Sequence, residues 1–205
     1  CLRSALLVLP DARVVARTFK FRFPTEILTF EPNGVSLPQG ADGFIAPMRK
    51  SLMELGFELS GYFTLPNALA NVKTINLLMV NRRTIESAIV NCIYVEEGAE
   101  YALRNRHIEF VTRFRDGVCL QTNNSGEIGS FASPPGDHTV QFWDLREAPE
   151  LHRRHQRIAE YLSTSSKWLR LADEFGGDVQ AYVSRAVLQE PLDYQVKVGR
   201  LRRVA

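Results

Sequence analysis

Between Val14 and Phe23 the order VVARTFKFRF sets Phe19, Phe21 and Phe23 on one side and Thr18, Lys20 and Arg22 on the other. That alternation predicts a half-buried strand. Pro24, Pro32, Asn33, Gly34 and Pro38 then interrupt every regular pattern, which predicts a loop, or a short hairpin around EPNG. After Asp42 and Gly43 the period changes: Ile45, Met48, Leu52 and Leu55 recur at helical spacing. Pro47 suits a first helical turn and Gly56 a left-handed C-terminal cap.

Alternation returns at GFELSGYFTLP, which places Phe57, Leu59, Gly61, Phe63 and Leu65 on one side of a strand. VKTINLLMVN and TIESAIVNCIYVE are β-branched and alternating, and Asn81, Arg82 and Arg83 between them predict a turn joining antiparallel neighbours. In HIEFVTRFRDGVCLQTNN, Asp116-Gly117 divides two alternating runs as the two-residue type I′ turn of a hairpin does. A loop from Ser125 to Asp137 and a last short strand in HTVQFWDL follow.

Helical spacing dominates the remainder. Leu151, His155, Ile158 and Leu162 share one face; Trp168, Leu171, Ala172 and Phe175 share another and stop at Gly176-Gly177; Val179, Tyr182, Val183 and Ala186 form a third before Pro191. The order is α+β: an antiparallel β-sheet with one early helix and a helical C-terminal third. One domain over residues 14–190 accounts for it, with an apolar lead-in at 1–13 and a basic C-terminal segment at 191–205.

Composition supports a folded core. Among 205 residues, 45% are hydrophobic and 23% charged, globular proportions at a length able to bury a core without disulfides or a structural metal. The net charge of +2, from 25 basic against 23 acidic side chains, supplies no global field for nucleic acid. Basic groups are instead local: Lys20 and Arg22; Arg153, Arg154 and Arg157; and Lys197, Arg200, Arg202 and Arg203 at the end. Such patches suit either ordinary solvated surface or anionic lipid headgroups. Cys1, Cys92 and Cys119 have no metal-ligand spacing and no even-numbered disulfide framework, and Cys92 and Cys119 fall in apolar runs that predict buried thiols. The chain opens on Cys1 rather than methionine, and Leu6 to Leu9 is far shorter than a bilayer span; it reads as a lead-in to the first strand or as the remnant of an anchor.

The chemistry-bearing motifs are sparse. P-loop, GxGxxG, HExxH, CxxC and GxSxG patterns are missing from the sequence, and no cofactor is implied. His152 and His155 stand three apart on a predicted helix, a spacing that can face one metal ion, although Arg153, Arg154 and Arg157 around them disfavour a divalent cation. The hairpin gathers His107, Glu109, Thr122 and Asn123: an acid and base pair if His107 and Glu109 share a functional face, solvent-side decoration otherwise. Thr122 to Ser125 also suit an Asx-type turn closing the strand.

IEFVTRFRDGVCLQTNNSGEIGSF at Ile108 to Phe131, LGFELSGYFTLPN at Leu55 to Asn67, LHRRH at Leu151 to His155 and YQVKVGRL from Tyr194 resemble an uncharacterised family of bacterial proteins with a hydrophobic, membrane-anchoring N-terminal segment. The likeness runs over most of the chain from about Phe44, and the family pattern continues into a further basic, tryptophan-containing stretch. It implies a membrane-associated protein whose domain lies in the cytoplasm, and brings no catalytic residue to transfer. Two functions are therefore expected: a non-enzymatic, membrane-associated accessory or interaction domain, with membrane rather than nucleic acid as the partner, or a cytoplasmic small-molecule binder or enzyme with its site near the 107–125 hairpin.

Overall fold

A computed structural model describes residues 28–30, 40–65, 71–98, 100–126, 133–164 and 178–199. The expected strand at 14–23, the expected helix around Trp168 to Phe175, and both terminal segments beyond 28 and 199 lie outside the described residues.

Among the described residues the strands form one seven-stranded sheet in sequential order, β1 (Leu28–Phe30), β2 (Glu58–Thr64), β3 (Val72–Asn81), β4 (Glu86–Glu97), β5 (Glu100–Arg113), β6 (Cys119–Asn123) and β7 (His138–Gln141). Neighbours are antiparallel from β1 to β6, whereas β7 lies parallel to β6. The class is α+β, as expected. Centrally placed β4 is buried on both faces over its first nine residues, which is why its sequence reads as a nearly unbroken apolar run.

Helix α1 (Ala41–Glu54) follows β1, and α2 (Ala148–Ser163) follows β7. Both lie on one face of the sheet, where Ala41, Ile45, Leu52 and Leu151 join Leu77, Met79, Ala88, Val90, Cys92, Tyr94, Ile108 and Phe110 in one core. Gly56 ends α1 at φ 86°, and the Gly56 and Phe57 N–H groups donate to the Met53 and Leu52 carbonyls, each at 3.0 Å. This paired capping motif turns Phe57 directly into the core. Pro47 sits inside α1 rather than in its first turn, because the helix starts at Ala41.

Three local expectations change. A β-bulge between Leu59 and Gly61 shifts the phase of β2, so Phe57 and Tyr62 enter the helix-side core while Leu59 is 37% exposed. The β5–β6 connection has three residues rather than two: Gly117 N–H donates to the Phe114 carbonyl, Phe114 N–H to the Val118 carbonyl, and only Gly117, at φ 87°, is left-handed. A type I turn followed by a bulged glycine therefore replaces the type I′ turn. Finally, helix does not stop at Pro191. Val179–Tyr182 is α-helical, Val183–Gln189 is a π-helix, and α-helix resumes over Glu190–Lys197 with Pro191 in its first turn, where the missing N–H costs little.

That C-terminal segment covers the opposite face of the sheet. The Tyr182 and Ser87 hydroxyls are 3.1 Å apart, and Arg113 on β5 donates to Glu190 at 2.9 Å. The helix and sheet elements thus form three layers around β4 to β6.

Candidate functional site

Register separates the six residues singled out from the sequence into two groups. Glu109 pairs directly with Asn123, and His107 lies two residues before Glu109, so these three share the face opposite α2. Thr122 pairs with Phe110 and faces α2, which brings His152 and His155. The sheet itself stands between the two groups. His107, Glu109, Thr122 and Asn123 therefore form no single site; His107 and Glu109 do share a face, but as a buried imidazole beside a half-buried carboxylate, so His107 is not the solvent-side decoration of the other reading.

On the α2 side, both histidines are consumed by strand residues. His155 is 0% exposed; its Nε2 lies 2.8 Å from Thr112 Oγ1 and its Nδ1 2.9 Å from Thr122 Oγ1. A neutral imidazole has one N–H and one lone pair, so it donates to one threonine hydroxyl and accepts from the other. Burial pulls this ring down to about 4, with Glu86 opposing the shift and His152 adding to it. His152 donates Nε2–H to Glu86 Oε2 at 2.7 Å, and the same carboxylate oxygen accepts from Thr84 Oγ1 at 2.9 Å. Phe110 lies between the two imidazoles, with ring centroids 5.0 Å from His152 and 5.8 Å from His155, and Phe57 meets His152 edge-on at 5.3 Å.

The β3–β4 turn delivers Glu86 to this position. Asn81 Oδ1 accepts from the Arg83 and Thr84 N–H groups at 3.0 and 3.1 Å, and Asn81 Nδ2 donates to the Leu55 carbonyl, tying the turn to the end of α1. Ile85, immediately before Glu86, takes φ 59°. A β-branched residue is strained there, and such strain persists only where the surroundings over-determine the conformation. Here the Asn81 and Glu86 hydrogen bonds fix both sides of Ile85.

The other face carries a polar row in register: Asn76 on β3 opposes Asn91 on β4, which opposes His107 on β5. All three are at most 2% exposed. Asn91 Nδ2 donates to His107 Nε2 at 3.2 Å, which leaves Nδ1–H to donate to Asn105 Oδ1 at 3.4 Å; Asn105 Nδ2 donates in turn to Ser125 Oγ at 3.3 Å. Donors thus run in one direction from β4 to the end of β6, and successive bonds polarise one another. Burial pulls His107 down to about 3, so its ring is neutral at physiological pH. Asn123 Oδ1 accepts from Ser125 N–H at 3.1 Å, the expected Asx turn, and Asn124 Oδ1 accepts from Ile108 N–H at 2.8 Å.

Sequence reasoning missed Glu86, Asn76 and Asn91. Asn76 and Asn91 were legible as single amides inside otherwise apolar strand runs, a sign of a paired polar group in the core; the partnership of Glu86 with a histidine 66 residues away was not. Among the described residues, no group of three or more His, Cys, Asp or Glu side chains is arranged to hold a metal ion. Cys92 and Cys119 are free and buried, as expected; Cys92 lies in the helix-side core and Cys119 near Arg113, and burial pushes their thiols up to about 11 and about 12. No described helix is long and apolar enough to cross a membrane. The chain matches no protein-family model, no curated protein and no solved structure.

Proposed function

We propose that the chain is a non-enzymatic accessory or interaction domain that works at a membrane surface from the cytoplasmic side. The observation that carries this reading is His155: both ring nitrogens are occupied by threonine hydroxyls in a site with no exposed surface. A side chain so placed holds a helix on a sheet and has no free lone pair to offer a substrate. His107 is likewise closed between two asparagines.

The membrane part of the reading rests on the apolar run Leu6 to Leu9, the family resemblance, and the outer face of α2. That face presents Arg153, Arg154 and Arg157 with Tyr161, which is 77% exposed. Glu150 pairs with Arg153 and Arg154, so Arg157 and Tyr161 are the groups best placed for a headgroup layer, where cations and amphipathic rings are both favoured. Co-sedimentation with phosphatidylserine-containing vesicles at low salt tests it: binding that weakens with salt and in Arg157→Glu is expected, and chain left wholly in the supernatant overturns it.

A second reading, a small-molecule binder, draws on the buried row Asn76, Asn91 and His107. Buried amides and imidazoles add little net stability even when hydrogen-bonded, so a row of them is often retained for a ligand. Native mass spectrometry of gently purified protein distinguishes the two: a retained adduct that Asn91→Leu abolishes supports the binder, and the bare chain mass supports the accessory domain.

A further inference from the structure

We propose that α2 is an acid-released latch, held on the sheet by His155 only while that ring is neutral. The inference is independent of the membrane reading and rests on how α2 is attached. Its buried inner face consists of Ala148, Leu151, His152, His155 and Ala159, so one large aliphatic side chain is accompanied by two alanines and two imidazoles. Ile158 and Leu162 add half-buried contacts to Phe114 and Leu120. With so little apolar area on the helix, its polar anchors carry an unusual share of the attachment. They reach three strands: His152 to Glu86 on β4, and His155 to Thr112 on β5 and Thr122 on β6.

The two anchors differ in their partners. His152 faces a carboxylate. His155 faces two hydroxyls. Once protonated it donates from both nitrogens, and the threonine that had donated to the ring must find another acceptor for its O–H inside a closed site. Among the described residues, the charged groups that bear on His155 are Glu86 from β4, which favours the proton, and His152 from α2 itself, which opposes it; β5 and β6 bring Thr112, Thr122 and the Phe110 ring. Burial outweighs the Glu86 attraction and keeps the bound ring neutral to about pH 4. Outside the site the same ring protonates near the ordinary pKa of about 6.5, so acid favours the detached helix.

The sheet does not depend on the latch. The β3–β4 ladder is continuous over ten residue pairs, the β4–β5 ladder has eleven with one register shift at Ile93/Tyr94, and α1 packs on the same core. Release of α2 uncovers Phe110, Phe114 and Leu120, an apolar strip that is buried while α2 is in place.

Hydrogen exchange with mass spectrometry on the full chain, corrected for the intrinsic pH dependence of exchange, tests the latch between pH 7 and 4. In the wild type, peptides from α2 are expected to lose protection by up to about tenfold per pH unit below about 6.5, the dependence of one proton uptake, while β4 and β5 peptides, which open only with the whole fold, stay better protected than α2. His155→Gln retains a donor and an acceptor and cannot be protonated; its α2 protection is expected to be flat. Exchange of α2 and the sheet as one unit with equal protection, or an unchanged pH profile in His155→Gln, overturns the proposal. If His155→Gln does not fold, wild-type imidazole NMR decides: the His155 ring must stay neutral while α2 is closed, and a His155 midpoint near 6.5 with α2 still protected overturns the latch.

Discussion

His152 donates its Nε2–H to Glu86 across 2.7 Å, joining the first residue of β4 to the second turn of α2. Both side chains are nearly inaccessible, at 6% and 2% exposure. A buried pair of this kind adds little net stability over a well-packed apolar pair, but breaking it is costly because one partner keeps an uncompensated buried group. Glu86→Ala is accordingly expected to destabilise the fold by about 3–5 kcal/mol. Glu86→Gln, whose amide oxygen still accepts from His152, is expected to lose about 1 kcal/mol. Urea unfolding of both variants checks the difference; equal losses would mean that the carboxylate charge, which the amide cannot replace, carries the attachment.

Thr122→Val nearly preserves volume and removes the hydroxyl opposite His155 Nδ1. The ring nitrogen is then buried without a partner, at an expected cost of about 1–3 kcal/mol. The double variant with His155→Leu should cost less than the two single changes added together, since the bond between His155 Nδ1 and the Thr122 hydroxyl is lost only once. A strictly additive double-mutant cycle would place the threonine outside the histidine's network.

Acid should weaken the whole fold through His107 and His155 together. Both folded-state pKa values lie below the unfolded value near 6.5, at about 3 and about 4, so the unfolded chain binds more protons as pH falls. The contribution is fully present above about pH 6.5 and is lost progressively below it, down to about pH 4 for His155 and about pH 3 for His107. Each histidine adds a slope of up to about 1.4 kcal/mol per pH unit in that window. Denaturant midpoints measured from pH 7.5 to 4.5 check this, and His107→Asn is expected to flatten the curve by about half.

Gly117 isolates a backbone effect. It has φ 87°, and an added Cβ would meet nothing within 4 Å, so Gly117→Ala changes conformational energy without a clash. A loss of about 1–2 kcal/mol is expected, with Gly117→Asn costing less because asparagine tolerates the left-handed region. Thermal denaturation of the two variants measures it.

The thiols should be inert in the folded state. Burial raises Cys92 to about 11 and Cys119 to about 12, so little thiolate exists at pH 8 and neither sulfur is reachable. Peptide mapping after brief treatment with a maleimide is expected to find both unmodified, and both modified after denaturation.

What was legible in the sequence follows from which forces are local. Strand alternation in 72–81 and 107–113, the helical period from Ile45 to Leu52 and the Gly56 cap depend on near neighbours, and the fold keeps them. The bulge at Ser60 was hidden because Leu59 and Phe63 remain apolar whichever face they take. The length of the Asp116-Gly117 loop turned on one residue, Arg115, whose side chain is compatible with strand or turn. The helical face of His155 was visible from its alignment with Leu151 and Ile158; its partners were not, because Thr112 and Thr122 approach through the sheet from 43 and 33 residues away. Likewise, the separation of His107 from Thr122 depends on strand parity across the hairpin, which the misread turn obscured.

The central claim is that the histidines are fixed internal supports rather than groups free for catalysis. Long-range proton–nitrogen NMR of the imidazole rings at pH 7, followed through a titration to pH 5.5, tests it most directly. The account expects His107 as a neutral ring protonated at Nδ1, His155 as a neutral ring in one tautomer, and both predominantly neutral in the folded state throughout. A midpoint near 6.5 for either ring in the folded protein, as a solvent-reachable catalytic histidine would show, would contradict it.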